Sequence, residues 1–266
     1  MFKFFDSHCH PQLSAFDVDR EAVLARMQEG AVAGLVVGVD LETSRGAIEL
    51  ARSRDFLWAA VGLHPNDNPG EIFDGKAFLE LARDSKVVAI GECGLDFFRG
   101  DEGTVETAQR ERFLKHVALA LEVQKPLMIH CRPTAGTQNA HEEMLSILAG
   151  YAKELEGGAL RVVIHFFTST KDIAEKYLAL GCYLSFPGVI TFTDMYDDAV
   201  CVTPLDKLLS ETDSPFAAPM PHRGARNEPS FVIETVRRLA ELKSASFEDM
   251  GVQIAKNAST FFGLGA

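Results

Sequence analysis

Short apolar segments that run straight into a histidine or an acid recur along this chain, and they constrain its fold more than any other feature. The first segment, Phe2 to Phe5, precedes Asp6, His8 and His10. Such a segment is typical of a buried β-strand. Alternate side chains of a strand share a face, so Asp6, His8 and His10 are expected to project the same way. Imidazoles and carboxylates that converge from a rigid strand end are usual ligands of zinc and other hydrolytic ions.

Later segments repeat this pattern. Apolar runs lead into His64, Glu92, His130, His165 and Asp213. With the first segment, the strand candidates number eight, and the later seven lie at 34–39, 56–62, 87–91, 126–129, 161–164, 182–185 and 208–211. Stretches of helical character lie between or after them, at 17–30, 42–52, 77–83, 109–124, 140–148, 172–180, 229–242 and 247–261.

This alternation predicts an α/β protein with one (β/α)8 TIM barrel over residues 1–266, and a doubly wound open sheet is the alternative. The polar residues favour the barrel, because barrel enzymes build their sites at the carboxyl ends of the strands. A hydrophobic core has no use for unpaired imidazoles and carboxylates. We therefore expect these groups to meet at one rim and to bind metal.

The number of candidate ligands indicates two metal ions. Four or more imidazoles with at least two carboxylates exceed what one tetrahedral ion uses. Glu92 can bridge two ions through its two oxygens, and Asp213 can both bind metal and accept a proton from an attacking water. Such a pair suits hydrolysis at a phosphoryl or carbonyl centre. Zinc, magnesium, manganese and nickel all accept these ligands, so the sequence does not name the metal.

The charge balance limits the partners. The chain has 26 Lys and Arg against 38 Asp and Glu, a formal net charge of −12. This sign excludes a broad basic face that grips a long duplex. A polyanionic substrate is therefore expected to meet metal ions and a few cationic side chains. Arg223 and Arg226, which follow Asp213 closely, are candidates for a phosphate contact.

The chain has the features of a cytoplasmic protein. We find no secretory signal pattern and no apolar run near the roughly 20 residues of a membrane helix. Five cysteines are scattered without a C-x-x-C pair, which favours a reducing compartment. We expect a monomer without membrane contact.

Seven short motifs carry a family resemblance. In chain order they are DSHCH at 6–10, GLHP at 62–65, GECGLDF at 91–97, PLMIHCR at 126–132, HFFT at 165–168, ETDSP at 211–215 and RGARNEP at 223–229. Together they resemble the motifs of the TatD family of metal-dependent deoxyribonucleases, within the amidohydrolase-like barrels. The resemblance implies removal of nucleotides from the 3′ end of single-stranded or frayed DNA, with RNA as a further candidate substrate.

Residue by residue, the resemblance also implies roles in the site. One metal ion would be held by His8, His10, Glu92 and Asp213. A second would be held by Glu92, His130 and His165. His64, and Arg132 after it, would contact a substrate phosphate.

The chain departs from the family pattern at three places. Pro133 stands where an acid often follows the arginine, Phe166 replaces a common cysteine, and Ala225 replaces a common lysine. None of the three is a proposed ligand. The loop after Pro133 is expected to affect substrate choice, and the lost lysine weakens the case for strong DNA binding.

Two other functions stay open. A small-molecule amidohydrolase would use the same barrel to cleave a C–N or ester bond, although many such enzymes bridge their metals with a carbamylated lysine where this chain has Glu92. A non-catalytic binding protein is disfavoured by the complete set of ligands.

Some histidines and cysteines fall outside the proposed ligand set. His116 and His141 are interpreted as surface or interhelical residues. Strand alternation predicts that the cysteines beside the ligands point outward, toward the helices. These are Cys9, Cys93 and Cys131.

Overall fold

A computed structural model describes residues 2–66, 72–98 and 104–264 of the chain. Within these ranges, eight strands form one parallel sheet in chain order. They are β1 Phe4–Cys9, β2 Val32–Val37, β3 Leu57–Val61, β4 Val87–Asp96, β5 Leu127–Arg132, β6 Val162–Ile164, β7 Tyr183–Phe186 and β8 Leu208–Ser210.

Helices connect the strands. They are α1 Arg20–Glu29, α2 Leu41–Arg52, α3 Gly75–Ala82, α4 Thr104–Val123, α5 Asn139–Ala149, α6 Ala152–Glu156, α7 Lys171–Ala179, α8 Asp197–Val202, α9 Val232–Leu242 and α10 Phe247–Phe262. Short 3-10 helices lie at Ser14–Phe16, Gly188–Thr191, Leu205–Lys207 and Pro229–Phe231. In the described part of the chain, no helix combines the length and the apolar character needed to cross a bilayer.

The sheet curls so that its last strand returns to its first. Ser210 Oγ on β8 donates to the carbonyl oxygen of Phe5 on β1, at 3.2 Å. Cys9, the last residue of β1, forms a parallel bridge with Ser214, which lies beyond the end of β8. These contacts confirm the predicted (β/α)8 barrel, and they bring the end of β1 beside the end of β8.

Apolar side chains fill both faces of the sheet, as a parallel sheet covered by helices requires. One cluster unites Phe5, Leu35, Met128, Val163 and Leu209, which come from strands all round the ring. Phe261 and Phe262 of α10 pack against the same cluster. The larger cluster joins the outward strand residues to the helices. The carboxyl ends of the strands, where the polar residues lie, remain available for a site.

Several boundaries differ from the sequence-based expectation. Strand β2 covers 32–37 instead of 34–39, and α4 begins at Thr104 instead of 109. β2 ends early because the N–H groups of Val39 and Asp40 both donate to Thr43 Oγ1 in the cap of α2. Helices α6 and α8 were not predicted.

Strand β4 approaches β5 closely at two glycines. A Cβ at Gly91 would lie 2.5 Å from the Met128 carbonyl oxygen, and one at Gly94 would lie 2.0 Å from that of His130. Both glycines have positive φ, 147° and 142°. The register between β4 and β5 shifts by one residue between Ile90 and Cys93, which indicates a bulge that contains Glu92.

The close approach predicts a large penalty for Gly94→Ala. The new Cβ combines an unfavourable φ with a backbone clash, so we expect the free energy of unfolding to fall by about 2–5 kcal/mol. Gly136→Ala is the matched control, because Gly136 also has a positive φ but a Cβ there would meet no described atom within 4 Å. It should cost only about 1 kcal/mol. Denaturant unfolding measures both, and equal losses would contradict the close-approach explanation.

Candidate metal centre

The first group of predicted ligands gathers where β1 meets β8. His8 Nε2 lies 3.1 Å from His10 Nε2 and 3.2 Å from Glu92 Oε2. Asp213 Oδ1 lies 3.3 Å from His10 Nε2 and 3.7 Å from His8 Nε2. Both imidazoles are buried. Four side chains from β1, β4 and the end of β8 therefore face one small volume.

The second group lies on the other side of Glu92. Its Oε1 is 2.9 Å from His130 Nδ1 and 2.8 Å from His165 Nε2. Ligand atoms of Glu92, His130 and His165 all lie within 4.8 Å of one another, as do those of His8, His10 and Glu92. The two oxygens of Glu92 thus face two different groups of imidazoles, which is the arrangement that a bridging carboxylate needs.

Asp6 does not join these groups, contrary to the expectation from strand alternation. Its carboxylate is fully buried and accepts from the Thr212 N–H at 2.9 Å and from Thr212 Oγ1 at 2.5 Å. The register between β1 and β2 shifts by one residue between Asp6 and Cys9. This bulge breaks the simple alternation, so Asp6 fixes the segment before Asp213 instead of lying beside His8 and His10.

Asp213 itself is held in an unusual backbone conformation. Its φ is +54°, in the left-handed region, and its N–H donates to the His8 carbonyl oxygen at 2.9 Å. Residues other than glycine adopt this region uncommonly, and such residues concentrate at functional sites. The side chain is partly exposed and lines the cavity.

Groups outside the ligand set orient three of the imidazoles. His10 Nδ1 donates to the Val37 carbonyl oxygen at 2.8 Å. His165 Nδ1 lies 3.3 Å from Glu211 Oε1, and His130 Nε2 lies 3.3 Å from Asp96 Oδ2. When one ring nitrogen holds the proton, the other presents its lone pair, so each ring can offer a nitrogen to a metal.

Sequence reasoning missed Asp96 and Glu211 as site residues. Both carboxylates are buried, and both lie within four positions of a proposed ligand, Glu92 or Asp213. A buried acid beside a histidine ligand is the expected signal for an orienting group, but only the fold shows which histidine it contacts.

The electrostatics suit metal binding at Glu92 and His8, whereas nearby carboxylates outweigh burial and raise the pKa of the imidazoles of His10, His130 and His165. Burial would raise the pKa of Glu92, but the imidazoles of His165, His64 and His8 outweigh burial and hold that pKa well below its ordinary value. Burial, helped by His165, lowers the pKa of His8. Glu92 is therefore a carboxylate and His8 a neutral base at neutral pH, which are the forms that coordinate metal.

His64 lies at the edge of the second group. Its Nε2 is 3.4 Å from Glu92 Oε1, and its backbone N–H donates to the Val39 carbonyl oxygen at 2.8 Å. The N–H of the preceding residue, Leu63, donates to Nε2 of His116 at 3.0 Å. His116 is fully buried in α4, and its ring lies 6.2 Å from that of Phe78 in α3, so the interhelical expectation is confirmed and the surface alternative is not. It fixes the backbone beside His64. His141, also buried, contacts the Tyr177 hydroxyl at 3.1 Å.

The three predicted phosphate-binding arginines lie in different surroundings. Arg132 lines the cavity, with its guanidinium carbon 3.8 Å from the centroid of the Phe98 ring. Arg223 stacks in the same way on Phe192, at 3.9 Å. Arg226 donates to both oxygens of Asp19, at 2.8 and 2.6 Å. The phosphate contacts of all three stay predictions, and Arg226 would have to leave its ion pair to make one.

The cysteines beside the predicted ligands do not add metal ligands to either group. Cys9 Sγ donates to the Leu35 carbonyl oxygen, and Cys93 is equally buried. Cys131 borders the cavity, but burial raises the pKa of its thiol to about 12. These groups are thiols at neutral pH, whereas metal ligation uses the thiolate.

A cavity of about 510 Å³ opens above the two groups of ligands. This volume is within the range of small-molecule sites. Its lining includes the side chains of His10, His64, Glu92, Asp96, His130, Arg132, His165 and Asp213. The cavity therefore gives a ligand direct access to both groups.

Burial of His116 predicts a loss of stability in acid. Burial lowers the pKa of His116 to about 4, against 6.5 when it is exposed. Between pH 6.5 and pH 4, His116 binds a proton in the unfolded chain but stays neutral in the folded chain. The part of the free energy of unfolding that His116 contributes above pH 6.5 is therefore lost as the pH falls toward 4. The loss should reach about 3 kcal/mol.

Comparison with His116→Gln isolates this contribution, because the other histidines titrate in both proteins. Urea unfolding at pH 7 and pH 4 should show that the wild type loses about 3 kcal/mol more than the variant does. Parallel losses would show that His116 is not buried in its neutral form.

Several known proteins are similar to this chain over nearly its whole length. The sequence model of the family described as "TatD related DNase" matches residues 5–263. An uncharacterized metal-dependent hydrolase, YabD of Bacillus subtilis, is 37% identical over 97% of this chain and 98% of its own length. A protein of Escherichia fergusonii named "3'-5' ssDNA/RNA exonuclease TatD" is 30% identical, over 98% of this chain and 99% of its own.

Solved structures show the same fold. The crystal structure of YjjV, a TatD homologue from Escherichia coli K12, superposes with a TM-score of 0.87 at 27% identity and covers 99% of both chains. An uncharacterized amidohydrolase from Saccharomyces cerevisiae superposes with a TM-score of 0.81 at 18% identity, over 98% of this chain and 100% of its own. At that identity the second likeness concerns the fold alone.

Proposed function

This chain belongs to the TatD-related DNase family of metal-dependent hydrolases, and from that premise we propose that it removes nucleotides from the 3′ end of single-stranded or frayed DNA. RNA is a further candidate substrate. The observation that carries the proposal is the position of Glu92, whose two oxygens face separate groups of imidazoles below one open cavity. The relative from Escherichia fergusonii is named as a 3'-5' exonuclease of single-stranded DNA and RNA, which supports this direction of cleavage and a single-stranded substrate.

The residues fit a pair of divalent ions. The donor atoms are imidazole nitrogens and carboxylate oxygens, they are close together, and most are buried. One ion would be held by His8, His10, Glu92 and Asp213, and the other by Glu92, His130 and His165. Zinc, magnesium, manganese and nickel all suit this set. When bound, such ions lower the pKa of water and offset the charge of a phosphodiester.

Asp213 is the proposed proton acceptor. Its carboxylate lines the cavity, and its left-handed backbone and the hydrogen bond to the His8 carbonyl oxygen fix its direction. A general base must lie within hydrogen-bond reach of the water that it deprotonates. Glu92 contacts both groups of ligands and so holds them at a fixed distance from each other.

Among the described residues, few cationic groups line the cavity, which suits a strand end better than a long duplex. Arg132 and His64 line the cavity and are the proposed contacts of the scissile phosphate. Arg223 and Arg226 would meet phosphates farther along the strand. A net charge of −12 leaves little general attraction for polyanions, so recognition must be local.

We also propose that the protein acts as a monomer in the cytoplasm. All five cysteines are free, which suits a reducing compartment. Size-exclusion chromatography with light scattering tests the oligomeric state, and a stable dimer would contradict it.

Exonuclease assays test the function directly. Metal-loaded protein should shorten 5′-labelled single-stranded DNA stepwise from its 3′ end, and a chelator should stop the reaction. Asp213→Asn should lower kcat by about 10²- to 10⁴-fold, because it removes the proton acceptor. Asp206→Asn is the matched control, since Asp206 is exposed near the amino end of β8.

Two outcomes would overturn the proposal. DNA and RNA that stay intact with every metal, while ester or amide substrates are cleaved, would favour the small-molecule amidohydrolase. Equal activities of Asp213→Asn and Asp206→Asn would remove Asp213 from the reaction.

A further inference from the structure

The cavity above the ligands has two chemically different sides. Among the described residues that line it are Phe166, Tyr196 and Phe216, which come from the segments that follow β6, β7 and β8. His64 and Arg132 line it from the ends of β3 and β5. Because the strands follow chain order round the ring, β3 lies opposite β7 and β5 lies beside β6. The aromatic residues therefore occupy the arc of the rim from β6 to β8, and the phosphate-binding candidates occupy the adjoining arc from β3 to β5.

Phe216 is exposed although its backbone is firmly held. Its side chain is 55% exposed, and its ring centroid lies 6.3 Å from that of His10. Its N–H donates to the Asp213 carbonyl oxygen at 2.9 Å, and its own carbonyl accepts from the fully buried amide of Asn227 at 2.6 Å. A buried asparagine thus fixes an exposed phenylalanine beside the ligands, although the phenylalanine adds little to the core.

Phe166 is presented to the cavity in a comparable way. Its φ is +47°, a left-handed conformation that is costly for a bulky residue. Its N–H donates to Glu211 Oε1 at 2.8 Å, the same oxygen that lies beside His165 Nδ1. The carboxylate of Glu211 therefore contacts a proposed metal ligand and also fixes the backbone that carries an aromatic ring.

The chemistry of both sides defines the group that would fit. Metal ligands and Arg132 suit a phosphate, whereas flat aromatic faces suit a planar apolar group attached to it. A nucleobase is such a group, and stacking on an aromatic side chain contributes about 1–3 kcal/mol for each base. Because the net charge of −12 disfavours binding through many phosphates, stacking can supply affinity that electrostatics does not.

We propose that Phe216 and Phe166 form a stacking subsite for the unpaired nucleobase of the nucleotide that is removed. The inference rests on the proposed nuclease function and deepens it. The terminal base of a duplex is held by its pairing partner and by its one stacked neighbour, so this subsite accepts the base only after it has come free. It also accepts any base, since aromatic stacking makes no base-specific hydrogen bond.

The test compares two single-stranded DNA substrates, one with an ordinary 3′-terminal nucleotide and one with a tetrahydrofuran abasic residue there. We expect the wild type to prefer the ordinary end. Phe216→Ala should lower the ratio of kcat/KM for the ordinary end over the abasic end by about 5- to 150-fold, and Phe216→Trp should keep the ratio high.

Phe192→Ala is the matched control. Phe192 is 39% exposed on the loop after β7, and it is absent from the described residues that line the cavity. Its neighbour Arg223 would contact phosphate, which both substrates carry, so the ratio should stay at the wild-type value. Thermal unfolding of each variant checks that it folds. Because the side chains of Phe216 and Phe192 are exposed, neither substitution should prevent folding.

The outcomes separate the two proposals. If the wild type cleaves both ends and Phe216→Ala lowers both rates equally, Phe216 only shapes the cavity and the stacking subsite is wrong. If the wild type cleaves both ends equally well, the subsite is wrong and the nuclease function stands. If the wild type cleaves neither with any metal, the nuclease function fails and the subsite fails with it.

Discussion

Glu92 is a buried carboxylate that contacts imidazoles on two sides, and the site is built around that contact. A buried charge is costly unless partners surround it, so the imidazoles and Glu92 stabilise one another's positions. His8 comes from β1, His130 from β5 and His165 from the end of β6. Only closure of the barrel brings these strand ends to one carboxylate.

Two bulges make the closed barrel into a site. One lies in β1 between Asp6 and Cys9, and the other lies in β4 between Ile90 and Cys93. Each inserts one residue, and each adjoins or contains a proposed ligand, His8 or Glu92. Bulges redirect side chains without ending a strand, which is why they recur near active sites. The glycines beside Glu92 permit the close approach to β5 that the second bulge requires.

Much of this architecture could be predicted from the sequence, because six of the eight strands are apolar runs that lead into a histidine or an acid. The eight strands, the barrel and the meeting of the six proposed ligands all follow from that pattern. Asp6 could not be placed, because alternation holds only in a regular strand and the bulge in β1 is not visible in the residue types. The hydrogen bond to His116 could not be predicted for a related reason, since its donor, the N–H of Leu63, is distant in sequence. Asp96 and Glu211 needed the fold to show which imidazole each one orients.

We propose that Glu92 lies between two metal ions. Anomalous X-ray diffraction from crystals of metal-loaded protein, recorded at the absorption edge of zinc or manganese, tests it most directly. We predict two peaks, one between Glu92 and the pair His8 and His10, the other between Glu92 and the pair His130 and His165. A single peak, or two peaks of which neither contacts Glu92, would contradict it.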